Sequence, residues 1–166
     1  MNIPRPNLNP QYQIVWCSVD ELRPYERNAR THSREQIKQI ADSIERFGFT
    51  NPILIGDGGE IIAGHGRLEA AKLLKIESVP TLRLSHLGEV ERRAYVLADN
   101  KLAEKAGWDD ELLALELKDL LELDFDLEIT GFETAELDLL LDGDIGEGED
   151  PDDVLPETSP DAPVTQ

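Results

Sequence analysis

The stretch Ile61-Ile-Ala-Gly-His-Gly-Arg-Leu-Glu-Ala-Ala-Lys72 constrains the fold of this chain more than any other. Two consecutive isoleucines and an alanine suit a strand covered on both faces. The glycines on either side of His65 admit backbone conformations closed to other residues. Beyond them Leu68, Ala71 and Leu74 recur every third residue, which predicts a helix from Arg67 to Leu74 with one apolar face. A buried strand that turns straight into such a helix requires a sheet with helices laid on it.

The flanking sequence supplies the rest of that sheet and its helices. Gln13-Ile-Val-Trp-Cys-Ser-Val19 carries the β-branched and aromatic residues of a first strand, and Asp20 to Tyr25 turns the chain into a polar loop, Glu26 to His32. Ser33-Arg-Glu-Gln36 has capping-box spacing. It opens a helix with Ile37, Ile40, Ala41, Ile44 and Phe47 on one side, and Gly48 stops it. Asn51 to Ile55, the turn Gly56-Asp-Gly-Gly59 and Glu60 to Ala63 read as a hairpin. Val79 to Leu84 reads as a strand in which Pro80 marks an edge or a start. Val90, Ala94, Leu97 and Ala98 predict an amphipathic helix over residues 89–103, and Leu113, Leu117, Leu120 and Leu121 predict another after Trp108-Asp-Asp-Glu111. Thr130-Gly-Phe-Glu133 has capping-box spacing again, ahead of Leu137, Leu140 and Leu141.

Charge divides the chain. The net charge is -19, yet residues 1–107 hold 15 Lys and Arg against 14 Asp and Glu, whereas residues 108–166 hold one against 21. Screening over about 8 Å at physiological salt keeps these fields local, so a near-neutral body remains able to bind anions. Residues 143–166 are too poor in apolar side chains to offset the entropy of ordering, and a disordered acidic tail is expected there. The Pro- and Asn-rich residues 1–12 read as a flexible arm. No run approaches the roughly 18 uninterrupted apolar residues of a membrane helix. With Cys17 as the one cysteine and no apolar signal at the start, a cytoplasmic protein without disulfides or membrane contact is expected.

Chemistry is concentrated at the glycine corner. Unpaired amides at a helix start and the positive end of its dipole attract anions, and Arg67 adds a fork of donors suited to phosphate. An ordinary strand-to-helix turn with Arg67 on the surface explains the same residues equally well. His65 is open to three readings: a phosphate contact, which we favour, a general base, or a structural histidine. No Walker loop and no dinucleotide fingerprint occurs. On the later helix Arg92, Tyr95 and Asp99 share a stripe with Asn100 beside it. Asp99 suits a hydrated Mg²⁺ shared with a polyphosphate, or else belongs to a solvated face. Asn28-Ala-Arg30-Thr-His-Ser33 reads as a second anion clamp or as a polar loop with a cap.

These segments in this order, Leu22-Arg-Pro-Tyr-Glu-Arg-Asn-Ala-Arg30, Asn51-Pro-Ile-Leu-Ile55, Ile61 to Arg67, Val79-Pro80 and Ala98-Asp-Asn-Lys101, resemble the ParB/sulfiredoxin superfamily over about residues 13–106. Gly-His-Gly-Arg and Ala98 to Asp109 are most similar to the short ParB-like domains of phages and bacteria found with DNA methyltransferases. The resemblance implies an α+β fold, a small mixed sheet packed by helices, followed by a helical extension over 107–142 and the tail. It implies that Gly64, His65, Gly66 and Arg67 bind the triphosphate of a nucleotide such as CTP or ATP. Arg30 and Asn100 would join them, and Asp99 would serve Mg²⁺. Partition ParB proteins have a second arginine in the box and another three residues past the Asn, where this chain has His65 or Gly66 and Ala103. They also continue into a helix-turn-helix DNA reader and a dimerisation domain, for which about 60 mostly acidic residues remain here. Sulfiredoxin places its attacking cysteine where this chain has His65, so repair of sulfinic acid is not expected.

Three functions follow from the resemblance. The first is a nucleotide-binding module with Mg²⁺ in DNA partition, phage DNA processing or DNA modification. The second is a slow phosphoryl-transfer enzyme or nuclease with His65 and Glu69 as catalytic candidates. The third is a non-catalytic adaptor of a DNA methyltransferase. DNA and a second copy of the chain are the further partners implied.

Overall fold

The computed structural model describes residues 12–142. The expectations of a flexible arm over 1–12 and of an acidic tail beyond 142 therefore lie almost wholly outside the described residues. The elements are β1 (Ile14–Ser18), a 3-10 turn (Val19–Glu21), α1 (Arg34–Phe47), β2 (Ile53–Ile55), β3 (Ile61–Ala63), α2 (His65–Leu73), β4 (Ser78–Arg83), α3 (Glu89–Glu104), α4 (Asp110–Glu122), a second 3-10 turn (Leu127–Thr130) and α5 (Thr134–Asp142). The strands form one mixed sheet in the order β1-β4-β2-β3. β4 runs antiparallel to β1 and parallel to β2, and β2 and β3 form the expected hairpin.

Both faces of β2 and β3 are covered, as their isoleucines require, whereas Ile14, Val15 and Trp16 of the edge strand β1 are exposed. On one side Ile53, Ile55, Ile61 and Val79 pack with Leu68 and Ala71 of α2, and α1 lies against α2. On the other, Ile62 meets Leu84 and Val96 of α3. β3 is thus clamped between two helices, and the corner that follows it is held from both sides. The helical extension has a small core of its own, Leu117, Leu127 and Leu137. Phe125 joins it to α1 by stacking on Phe47 at 6.3 Å, beneath the Arg46 guanidinium.

Three local expectations are corrected. Helix α2 starts at His65, two residues early, because Gly64 at φ 104 serves as its N-cap. β4 is an interior strand with Pro80 as its third residue. The proline is tolerated because the ladder to β2 begins only at Thr81, so no neighbour on that side needs its missing N–H. Thr130 does not open α5; its hydroxyl donates to the Leu127 carbonyl within the 3-10 turn, and the Glu136 carboxylate instead accepts from the Glu133 amide ahead of α5. The Ser33 cap is present, its Oγ accepting from the Gln36 amide at 3.0 Å. The Gln36 side chain does not close the box, because its oxygen lies 2.9 Å from His32 Nδ1.

Candidate functional site

Gly64 shapes the corner. Its φ of 104 lies in the left-handed region, and a Cβ built on it would stand 2.9 Å from Arg67 Nη2. No side chain caps the first turn of α2, so its amides remain open at the positive end of the helix. Gly66 is buried where α2 meets α1, and a Cβ there would stand 2.9 Å from Ile40 Cδ1. The two glycines therefore do different work: Gly64 makes room for a guanidinium, and Gly66 lets two helices approach.

The Arg67 guanidinium folds back over Gly64 and donates from Nη2 to the Pro52 carbonyl at 3.2 Å. Its Nε is buried and has no hydrogen-bond partner. Burial pulls this guanidinium below the usual arginine range, opposed by the charge of Asp99. A cation held partly out of water with one donor unsatisfied is a site short of an acceptor.

The fold delivers the other candidates to the same place. A cleft of about 150 Å³ is lined by Asn28, Arg30, His32, Gly64 to Arg67, Asp99 and Asn100, with Ile40, Ile62 and Ala63. Arg30 reaches α3 from the loop, with Nη1 3.5 Å from the Asn100 carbonyl and 3.9 Å from Glu104. Asn28 shapes that loop by accepting from the Arg30 amide at 3.2 Å. Asn100 anchors its side chain on the Val96 carbonyl at 2.8 Å. Asp99 is exposed at the cleft, 3.5 Å from the Tyr95 hydroxyl. The rest of the polar stripe on α3 goes elsewhere: Arg92 pairs with Glu60 beside an apolar groove of about 290 Å³ that opens next to Tyr25.

His65 lines the cleft, but its Nε2 accepts a hydrogen bond from the Tyr25 amide at 3.1 Å. Burial and then the neighbouring His32 push its pKa down, and Glu69 opposes them. The unfolded chain takes up the proton first, so stability from the neutral imidazole is complete above a pH of about 6.5 and is lost as the pH falls toward the lower folded pKa. Thermal melts from pH 7.5 to 5.5 are expected to show this loss in the wild-type protein and less of it in His65→Gln. Glu69 is exposed, pairs with Lys72 at 2.9 Å and is absent from the cleft lining. Cys17 packs against the core with Sγ 3.2 Å from the Thr81 hydroxyl.

Ile40 and the Pro52 carbonyl complete the site without having been singled out for it in the sequence, and His32, part of the second candidate clamp, joins them. His32 sits one residue before the Ser33 cap, a signal of position though not of role. The carbonyl has no sequence signature. Among the described residues no cluster of three His, Cys, Asp or Glu is placed to hold a metal on its own, and no helix is long and apolar enough to cross a membrane. A metal here would need oxygens from a ligand as well as Asp99.

Introducing a methyl group by Gly64→Ala is expected to do two things at once. It strains a left-handed residue by about 1–2 kcal/mol and displaces the Arg67 guanidinium. The melting temperature should fall by a few degrees, and affinity for any anion held by Arg67 at least tenfold, as read by calorimetry.

Comparison with known proteins identifies the family and the fold. The family model described as ParB N-terminal domain matches residues 6–101, and that described as ParB-methyltransferase HTH domain matches residues 111–166. The chain is 50% identical over 86 residues to the ParB-like nuclease domain-containing protein YnaK of Escherichia coli (strain K12), covering 52% of this chain and 99% of that one. It is 35% identical over 89 residues to a probable chromosome-partitioning protein ParB of Rickettsia bellii (strain RML369-C), covering 53% of this chain but only 30% of the relative. The C-terminally truncated chromosome-partitioning protein ParB of Caulobacter crescentus, solved in complex with CTP-gamma-S, superposes with a TM-score of 0.62 at 20% identity. That superposition covers 82% of this chain and 88% of the other, a likeness of fold. The first family model alone spans more than half of the sequence, and the chain belongs to the ParB N-terminal domain family.

Proposed function

We propose that the cleft binds the polyphosphate of a nucleoside triphosphate, CTP or ATP, together with Mg²⁺. The observation that carries this reading is the Arg67 guanidinium, partly dehydrated and with an orphaned Nε, set beside the uncapped amides of α2. Phosphate oxygens supply the missing acceptors, and the dipole of α2 favours their charge. Arg30, pinned to α3, closes the opposite side, and Asn100 offers its amide. Asp99 is the protein ligand suited to Mg²⁺, which takes one or two carboxylates plus phosphate and water oxygens and would neutralise charge between the phosphates. The fold shared with the Caulobacter protein, whose structure contains CTP-gamma-S, makes CTP the first nucleotide to try.

Glu69 stands outside the cleft and His65 Nε2 is already engaged, so the reading is one of binding rather than of turnover. Titration calorimetry with CTP, ATP, GTP and ADP in the presence of Mg²⁺ tests it. Heat is expected with at least one triphosphate, and silence with all four ends the proposal. Asp99→Asn is expected to remove most of the Mg²⁺ dependence while leaving the residual Mg²⁺-free affinity within about twofold.

A second element of the reading rests on the helix-turn-helix model that matches residues 111–166. It supports a role in DNA transactions, with DNA or a DNA-modifying protein such as a methyltransferase as the partner of the extension. Because the chain spans less than a third of the partition relative's length, that partner is sought with the full chain. Fluorescence anisotropy on labelled duplex DNA across a salt series tests direct contact, since phosphate contacts give a steep fall of affinity with salt.

A further inference from the structure

We propose that His65 is a positioning residue: its imidazole latches the Tyr25–His32 loop to the glycine corner and so keeps Asn28 and Arg30 over the cleft. The inference rests on the phosphate reading of that cleft, but the latch itself is a property of the protein without ligand.

The ring is well placed for this. His65 is the first residue of α2, so its backbone is fixed by the same corner that presents the open amides. The loop it holds is otherwise tied by Arg23 and Arg30 and by the partly buried Tyr25 side chain, which packs against the cluster of Ile62, Leu84 and Val96. Arg23 exchanges backbone hydrogen bonds with Gly59 and Ile61 on the hairpin, and Arg30 reaches α3. Among the described residues, the Tyr25 amide to His65 Nε2 is the one hydrogen bond between this loop and the corner. Tyr25 in turn accepts at its carbonyl from the Asn28 amide at 3.0 Å, and Asn28 Oδ1 accepts from the Arg30 amide. A chain of three hydrogen bonds therefore runs from the imidazole to the backbone of Arg30.

An imidazole nitrogen accepts only while it keeps its lone pair, so the latched ring carries its proton on Nδ1 and is neutral. Protonation at Nε2 converts the acceptor into a donor facing another donor, and the contact is lost. The charged or titratable groups around the ring are His32 before α1, Arg30 from the loop, Arg67 and Glu69 from α2, and Asp99 from α3. Burial and His32 favour the neutral ring, which is the form the latch needs.

A latch and a direct phosphate contact predict opposite signs. If the ring touched phosphate, protonation would add an attractive charge and affinity would rise as pH falls. If it holds the loop, affinity falls instead. Titration of the nucleotide itself is common to all variants, and the ratio of wild type to His65→Gln removes it. Glutamine places a side-chain acceptor at a similar reach that does not titrate.

The first measurement needs no nucleotide. Hydrogen exchange of the Tyr25 amide by NMR is expected to be protected in the wild type at pH 7.5, increasingly unprotected as the pH falls past the lowered pKa of the His65 ring, protected throughout in His65→Gln and unprotected in His65→Ala. The second is calorimetry with CTP and Mg²⁺. His65→Ala should weaken binding about three- to tenfold and His65→Gln by less than about threefold, the loss of one net hydrogen bond. The wild-type to glutamine affinity ratio should fall with pH. Tyr25 exchange in His65→Gln indistinguishable from that in His65→Ala, or a ratio that rises as pH falls, overturns the latch. Absence of nucleotide binding in every variant refutes the phosphate reading and leaves the exchange experiment to decide the latch.

Discussion

Replacing Arg67 by alanine is expected to weaken triphosphate binding between about tenfold and 150-fold. The range corresponds to the roughly 1.5–3 kcal/mol of a hydrogen bond to a charged group, at 1.4 kcal/mol per decade. The loss should exceed that from Arg30→Ala, because Arg30 is already partnered by the Asn100 carbonyl and Glu104, while the Arg67 Nε has nothing. Arg67→Lys should recover only part of the affinity, since an ammonium keeps the charge but loses the planar fork. The fold should survive: removing the side chain frees a single carbonyl, that of Pro52, and takes a poorly solvated cation out of the interior. Calorimetry and thermal melts on the same preparations separate the two effects. Wild-type affinity in Arg67→Ala would remove the guanidinium from the site.

The neighbouring residue gives the complementary result. Leu68 is fully buried in the core against Ile53, Ile55, Ile61 and Val79. Leu68→Ala is expected to cost about 2–5 kcal/mol, the transfer of the lost methyl and methylene groups plus the cavity left between sheet and helix. The melting temperature should drop by roughly 8–20 °C. Below its transition this variant should still bind nucleotide within a few-fold of wild type, because the amides of α2 and Arg67 are set by Gly64 and the end of β3 rather than by the leucine. Residues 67 and 68 are thus expected to divide function from stability across one peptide bond. A Leu68→Ala protein as stable as wild type would contradict the placement of α2 on the sheet.

Much of this arrangement is legible in the sequence for local reasons. The Ser33 cap, the Gly48 stop, the hairpin between β2 and β3 and the apolar face of α2 depend on residues within a few positions of each other, and periodicity reports them directly. The errors are equally physical. Pro80 argues for an edge only if both sides of a strand need every donor, and the stagger between β1 and β2 along β4 removes that need. Thr130 has the spacing of a cap, but its hydroxyl finds the Leu127 carbonyl first. The αL conformation at Gly64 starts α2 before the apolar period shows it.

The sequence by itself determined that a buried strand ends in a glycine corner and a helix, that an arginine follows at once, and that acid is segregated toward the end of the chain, because each is a matter of neighbouring residue types. Only the tertiary structure decided that Asp99 and Asn100 of α3 and Arg30 of the loop face that corner, since β3 is clamped between α2 and α3 and no local pattern records which face of the later helix turns inward. It also decided the occupation of His65. Whether an imidazole meets a phosphate, a proton or a backbone amide depends on which segment the fold brings against it, here one 40 residues earlier in the chain.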